Sequence, residues 1–410
     1  MLFANKKFLL LWASQIFSQF AINIMNFLVL VHVYEVTGSS IASSLVWISY
    51  ALPVIIIGPL LATYVELHDK KRMMLYANIM QATIIFLFAV FFDFNFYLAY
   101  IVVILYSTLD QIYVPAETAS IPFVVKRGNL ARANGLFFLT AQAAAVLGFG
   151  LAGLVIKILG FSDTLVIAGV LLVLAAISVL NLPQLRPKTK SHFKTTRYKL
   201  KEIIEKTLQG FTFIIEHKKI LFPIILLVLL QVYLVIFIVN LPAIGAELIK
   251  TESAYVGLLT VIPIGIGAIL GTYFVPKILK RYSRKSTVVL HAMLAASLVM
   301  IVGPAVSILT DFWLARAIMI IAFGIVGFAF VSIIVPSITY LQTHTPDQFM
   351  ARVFGNFWFA AYLATIFPTL FSASVTDFLG ADVMLIFMGF ILLAIYVYSK
   401  TSLDKLISRL

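Results

Sequence analysis

The sequence predicts an all-α integral membrane protein, with twelve transmembrane helices in two pseudo-symmetric six-helix bundles. Three observations lead to this fold class. The 410-residue chain is 62% hydrophobic and 11% charged, whereas soluble domains have about 45–50% apolar and about 25% charged residues. Apolar runs recur that are long enough for a helix to cross a bilayer, which takes about 20 residues. Finally, motifs of the first half return in the second half.

The apolar runs do not alternate between apolar and polar residues, so they predict helices and not the strands of a barrel. Single Gly, Pro and polar residues inside them are tolerated, because neighbouring helices satisfy the freed backbone groups. The predicted spans 1 to 12 are residues 8–34, 41–65, 73–92, 96–118, 131–157, 163–182, 219–243, 253–276, 287–309, 312–336, 352–375 and 382–399.

One long hydrophilic stretch separates six spans from six. It starts as a basic, Pro-containing linker and ends with Leu200, Ile203, Ile204 and Leu208 at helical spacing, which is typical of an amphipathic helix. We therefore expect an N-terminal bundle at 1–182, a cytoplasmic linker with an amphipathic helix at 183–218, and a C-terminal bundle at 219–410.

The net charge of +13 is distributed by topology. With the N-terminus inside, only Lys157, Lys250 and Arg316 of the 30 basic residues fall on or near the outer side, as the positive-inside rule requires. This pattern predicts a multi-pass protein of the bacterial inner membrane with both termini in the cytoplasm, and it argues against nucleic-acid binding. There are no cysteines and the six histidines are scattered, so we expect no metal and no cofactor. We expect a monomer.

The two halves echo each other. The stretch "VPAETASIPFVVKRGNLARANG" near 114–135 corresponds to "VPSITYLQTHTPDQFMARVFG" near 335–355, so that Arg132 pairs with Arg352 and Gly135 with Gly355. "HDKKRMML" at 68–75 corresponds to "YSRKSTVV" at 282–289. Several matches in order, at nearly constant offset, indicate a duplication.

A charged segment follows span 2 and contains Glu66, Asp69, Lys70, Lys71 and Arg72. It resembles the motif Gly-x-x-x-Asp-Arg-x-Gly-Arg-Lys of major facilitator superfamily transporters, although the first Gly, the Arg and the second Gly are replaced. The resemblance implies a conformational switch in which Glu66 contacts a helix N-terminus or a basic side chain in one state only. A plain anchoring loop is the alternative.

Further stretches resemble the macrolide-efflux and enterobactin-exporter branch of that superfamily: "VPAETASIP", "LARANGL", "LQGFTFI" and "GLLTVIPIGIGAILG". In span 5, Gly148, Gly150 and Gly153 are similar to the small residues of the family's antiporter motif, with Phe149 where Pro is expected. The resemblance implies that they pack span 5 against a helix of the other half; ordinary packing of small residues is the alternative.

The chain carries no phosphate-binding Gly-rich loop and no hydrolase motif, so we expect no enzyme activity. Transport would then depend on a gradient. Asp110, well inside span 4, is the candidate for ion coupling or for binding a cationic substrate, because charges inside a bilayer are costly. A structural hydrogen bond is the alternative. Glu117 lies nearer the cytoplasm, and we expect it to pair with Lys126, Arg127 or Arg132.

Polar residues in spans 1 and 7 are the other candidate substrate contacts. Such residues avoid lipid, and the family resemblance implies that spans 1, 4, 7 and 10 line a cavity. Hydrogen bonding between helices is the alternative. The candidates are Gln15, Gln19, Asn23 and Asn26, spaced 4-4-3 on one face of span 1, and Gln231 and Asn240 in span 7.

Together these features predict a secondary-active exporter of small hydrophobic or amphiphilic compounds, drug-like or siderophore-like, that works by alternating access. Proton coupling is left open, since span 4 lacks the Arg that many proton antiporters of the family carry there. A lipid or lysolipid translocator of the same fold and a non-transporting membrane receptor or scaffold are the alternatives.

Overall fold

The computed structural model describes residues 2–126, 129–185, 205, 208–281, 285–302, 304 and 312–407. Within these ranges the chain is helical and contains no β-strand. Contacts divide it into two compact units, one of residues 1–38 and 45–206, the other of residues 39–44 and 207–410.

The N-terminal unit contains the helices of the first six predicted spans. A short 3-10 turn at Leu2–Ala4 precedes them, and Asn5 caps the first helix by accepting hydrogen bonds from the backbone of Lys7 and Phe8. The helices are α1 (Lys6–Thr37), α2 (Ser40–Ile56), α3 (Gly58–Leu67), α4 (Lys70–Phe91), α5 (Tyr97–Val124), α6 (Leu130–Leu159) and α7 (Phe161–Leu180).

Span 2 is interrupted, although the sequence pattern predicts one continuous helix. The chain ends α2 at Ile56 and starts α3 at Gly58, with Pro59 in the first turn of α3. Pro has no backbone N–H to donate and is tolerated at the start of a helix, so the Gly-Pro pair is where one helix stops and the next begins.

The C-terminal unit contains the remaining spans. Residues 208–216 are helical and bury Phe213 and Ile214 in the core of this unit, while Leu200, Ile203 and Ile204 of the predicted linker helix lie outside the described residues. The helices that follow are α8 (Lys218–Val239), α9 (Leu241–Ala243), a π-helix (Ile244–Ile249), α10 (Ser253–Arg281), α11 (Lys285–Val302), α12 (Phe312–His344), α13 (Asp347–Leu379) and α14 (Ala381–Ile407).

The C-terminal unit also holds the start of α2. Asp377, near the end of α13, accepts hydrogen bonds from the Ser39 hydroxyl and the Ser40 amide, both at 2.6 Å, and from the Ile41 amide at 3.1 Å. A carboxylate at a helix N-terminus satisfies free amides and favours the helix dipole. The contact therefore explains why residues 39–44 group with the second unit.

Equivalent positions of the two halves share backbone conformation and packing. Gly160 and Gly380, 220 residues apart, each end one helix and precede the next, with φ of 88° and 96°. A Cβ on Gly169 would lie 2.4 Å from the Phe86 ring of α4, and a Cβ on Gly389 would lie 2.6 Å from Ile301 of α11. The duplication that the sequence indicates is thus visible in how each unit packs its last helix.

Helices α10 and α12 meet backbone to backbone. A Cβ on Gly267 would lie 1.9 Å from the carbonyl oxygen of Gly324, and a Cβ on Gly327 would lie 2.0 Å from that of Ile264. We call these four residues the glycine seam. Small residues allow such approach between helices in a bilayer, where packing and not water exclusion holds helices together.

Nine helices of the described residues are long and apolar enough to cross a membrane, and three shorter apolar helices lie at Ser40–Ile56, Ala292–Ile301 and Ala381–Val397. Large apolar side chains stay exposed along them, for example Val90, Ile269 and Phe367. Exposed apolar surface of this extent is expected where lipid is the solvent. The helical membrane fold is confirmed, while the number of twelve spans stays a prediction.

Candidate functional site

Asp110 is buried in the middle of α5 and bonded to α2. Its carboxylate accepts a hydrogen bond from the Tyr50 hydroxyl at 3.0 Å, and the carbonyl of Tyr50 accepts one from the Ser107 hydroxyl at 2.6 Å. The Tyr50 ring stacks on Trp47 with centroids 5.8 Å apart. The acid is 9% exposed, so little water can solvate its charge when it is ionised.

The expected ion pair of Glu117 with Lys126 or Arg132 is wrong, and the third candidate, Arg127, lies outside the described residues. Glu117 accepts a hydrogen bond from the Tyr113 hydroxyl at 3.0 Å and forms no ion pair with a basic residue in the part of the chain that the structure describes. The reason is helix length: α5 runs to Val124 and not to 118. At 1.5 Å per residue, Glu117 lies about 10 Å inside the helix.

The polar face of α1 is partly used for packing against α6. Gln15 is buried and its amide donates to the carbonyl of Phe137 at 2.8 Å. Asn23 donates to the carbonyl of Gln19 within α1 at 2.7 Å, and both are half-buried, as is Asn26. Gln15 thus forms a hydrogen bond between helices, which is the alternative to a role in substrate binding.

The candidates of span 7 differ in burial. Asn240, at the end of α8, is fully buried and donates to the carbonyl of Ile236 at 2.8 Å and to the Ser372 hydroxyl at 3.2 Å. Gln231 is half-buried on α8. Asn240 therefore links α8 to α13 inside the C-terminal unit.

Asp69 and Lys70 of the charged segment connect the start of α4 to Leu185, which follows α7. Asp69 caps α4 by accepting from the Lys71 amide at 3.0 Å, and the same oxygen accepts from the Leu185 amide at 3.2 Å. The amide of Lys70 in turn donates to the carbonyl of Leu185, and its ammonium donates to the carbonyl of His68. Lys71 is half-buried and Arg72 exposed, while the side chain of Glu66 is outside the described ones.

Three glycines of α6, Gly148, Gly150 and Gly153, are buried, and Gly148 has a close neighbour in its own unit. A Cβ on Gly148 would lie 2.6 Å from the Cβ of Asn23 on α1. At Gly148 the small residue thus allows close packing of α6 on α1 inside the N-terminal unit, while packing of these glycines against a helix of the other half stays a prediction.

Sequence reasoning missed the Tyr113 hydroxyl, which donates to Glu117, and the Ser107 hydroxyl, which donates to the carbonyl of Tyr50. Tyr113 lies four residues before Glu117, and residues four apart face each other on a helix; this spacing was the signal that could have found it. Within the described residues no group of His, Asp or Glu could hold a metal ion.

The chain is similar to a known protein family and to individual known proteins. The family profile of the Major Facilitator Superfamily matches residues 11–369. Macrolide efflux protein A of Streptococcus pyogenes is 22% identical over 190 residues, which are 45% of this chain and 47% of that protein, so the match spans about half of its length. The uncharacterized MFS-type transporter YfiS of Bacillus subtilis is 22% identical over 399 residues, 96% of this chain and 93% of that protein.

Among solved structures, the nucleoside transporter NupG superposes with a TM-score of 0.69 at 16% identity, over 96% of this chain and 98% of that one. Identity at this level shows the fold alone.

Proposed function

Because the chain belongs to the Major Facilitator Superfamily, we propose that it is a secondary-active exporter of small hydrophobic or amphiphilic compounds, drug-like or siderophore-like. It works by alternating access, in which each conformation opens a midplane site to one side of the membrane. We further propose that it is a monomer of the bacterial inner membrane with both termini in the cytoplasm, in keeping with its basic residues.

The observation that carries the proposal is the buried pair of Asp110 and Tyr50. A carboxylate inside a bilayer is costly unless it is neutralised or solvated by hydrogen bonds, so such acids accompany proton and ion pathways. Binding and loss of a proton at Asp110 would change which conformation is favoured. Export and the substrate class are supported by the likeness to macrolide efflux protein A.

The remaining sequence candidates keep distinct roles in this proposal. Gln19, Asn26 and Gln231 are only half-buried, so their amides remain accessible to a substrate. The backbone contacts of Gln15, Asn23 and Asn240 favour a positioning role for these three. We propose Glu66, in the last turn of α3, as the switch residue of the charged segment, with Asp69 and Lys70 fixing the turn that follows α3.

Accumulation of erythromycin and of ethidium in efflux-deficient bacteria tests the function. Cells that express the protein should accumulate less of at least one compound, and a protonophore should abolish the difference. Asp110→Asn should lower the efflux rate at least about tenfold, since loss of the coupling step adds at least ~1.4 kcal/mol to the barrier. Unchanged efflux by Asp110→Asn would remove Asp110 from the mechanism.

Asp93→Asn is the matched control, because Asp93 is an exposed acid of the same unit. It should transport like the wild type. Unchanged accumulation of every compound in a broad panel would contradict export and favour lipid translocation or a receptor role.

A further inference from the structure

Glu117 is the second buried carboxylate of α5, and the exporter mechanism above does not use it. Its side chain is 5% exposed and has the Tyr113 hydroxyl as its hydrogen-bond donor. No basic residue of the described ranges forms an ion pair with it. Burying a carboxylate charge without a cation costs far more than burying the neutral acid, so this environment fits a carboxyl group that carries its proton.

A chain of hydroxyl groups leads from Glu117 to α1. Tyr113 is 1% exposed and its hydroxyl oxygen lies 3.0 Å from that of fully buried Ser14, with either atom able to donate. A hydroxyl both donates and accepts hydrogen bonds. The pair can therefore donate towards a carboxylate at Glu117 or reorient when that group is protonated, so both charge states find partners.

The neighbouring helices supply few other charges. Helix α5 packs against α1, α3, α4 and α6. Helix α1 contributes Ser14, the ammonium of Lys70 on α4 donates to the carbonyl of His68, and Arg132 on α6 is exposed. On α3, the side chain of Glu66 lies outside the described ones. On α5 itself the nearest acid is Asp110.

We propose that Glu117 is a second proton-binding residue of this transporter, and that the Tyr113–Ser14 hydroxyl pair stabilises its carboxylate when the proton leaves. In the step, the Glu117 O–H bond breaks and the proton passes to water. The carboxylate then accepts from the Tyr113 O–H, whose oxygen accepts from the Ser14 O–H. Uptake of a proton reverses each change. This inference rests on the proposed function, in which a proton gradient drives export.

The placement of the two acids supports such a path. Asp110 and Glu117 are seven residues apart, which is nearly two full turns of a helix, so they lie on one face about 10 Å from each other along the axis. Each has its own tyrosine hydroxyl, Tyr50 for Asp110 and Tyr113 for Glu117. The face thus offers two consecutive positions at which a proton can be held.

Infrared difference spectroscopy of the full-length protein in lipid vesicles tests the proposal without a substrate. Raising the pH should remove a C=O band of a protonated carboxylic acid from the wild type. Glu117→Gln should lose the component of that band that belongs to Glu117 and keep the component that belongs to Asp110, and Tyr113→Phe should shift the Glu117 component, because the hydrogen bond to the acid is lost. Glu216→Gln is the matched control, an exposed glutamate of the other unit, and should keep the band unshifted.

An identical band in the wild type and in Glu117→Gln would overturn the proposal. An unshifted band in Tyr113→Phe would overturn the role of the hydroxyl pair. If Glu117→Gln does not elute as a folded species, Glu117→Asp decides: a retained band at a shifted frequency supports the site, and an unchanged band contradicts it. Absence of erythromycin and ethidium efflux, with the Glu117 band present, would contradict the proposed function and leave the proton site standing.

Discussion

Replacing Asp69 by Ala should destabilise the N-terminal unit strongly, whereas replacing it by Asn should not. One carboxylate oxygen accepts from the Lys71 amide and from the Leu185 amide, and the side chain is 8% exposed. Loss of a helix cap costs about 1 kcal/mol, and a hydrogen bond to a charged group contributes about 1.5–3 kcal/mol. Asp69→Ala should therefore lower the free energy of unfolding by about 3 kcal/mol.

Asn retains an oxygen that can accept both hydrogen bonds, and Asn is as good a helix cap as Asp. We expect Asp69→Asn to cost about 1 kcal/mol, the contribution of an ordinary neutral hydrogen bond at most. Thermal unfolding in detergent measures the difference. For units of 150–250 residues, 1 kcal/mol shifts the midpoint by about 2–4 °C, so Asp69→Ala should fall roughly 6–12 °C below the wild type.

Asp163→Ala is the control, since Asp163 is an exposed acid in the first turn of α7. Its loss should shift the midpoint by no more than about 4 °C, because an exposed charge at a helix start contributes at most ~1 kcal/mol. Equal destabilisation by Asp69→Asn and Asp69→Ala would refute the reasoning, because the charge and not the acceptor oxygen would then be what the fold requires.

Two further predictions concern the glycine seam and the partner of Asp110. Gly327→Ala should lower the thermal midpoint, since the added Cβ meets a backbone carbonyl at 2.0 Å and overpacking costs about 1–3 kcal/mol; Gly355→Ala, with open space around it, should not lower the midpoint. Tyr50→Phe should slow erythromycin efflux about tenfold, as expected for loss of ~1.4 kcal/mol, while Tyr97→Phe, at an exposed position, should leave it unchanged.

The fold could be predicted because lipid imposes a simple demand on composition: each predicted span coincides with helix over most or all of its described part. Helix ends were predicted less well. Helix α1 runs to Thr37, where Gly38 with φ of 65° ends it, and not to 34. Hydropathy reports only the part of a helix that lies in hydrocarbon, whereas capping decides where the helix stops.

The site could be predicted only as a set of residue types. That Asp110 is an acid inside a span follows from the sequence, but its partner Tyr50 is 60 residues away on another helix. Gln15 likewise bonds to a backbone carbonyl 122 residues away. For Glu117 the prediction relied on closeness in sequence to Lys126 and Arg132. The direction of the side chain decides the contact instead, and it points to Tyr113.

The glycine seam has a mechanical consequence for the transport cycle. Elsewhere in the bundle, side chains between helices can change rotamer and let one helix slide or roll over the next. Where Gly267 and Gly327 bring main chain against main chain, no side chains lie between the helices, and any displacement of one helix meets the carbonyl oxygens of the other directly. Helices α10 and α12 therefore move as one rigid pair. A pair of spin labels, one on each helix, should report one fixed distance throughout turnover. The bending that transport needs must then occur in other helices.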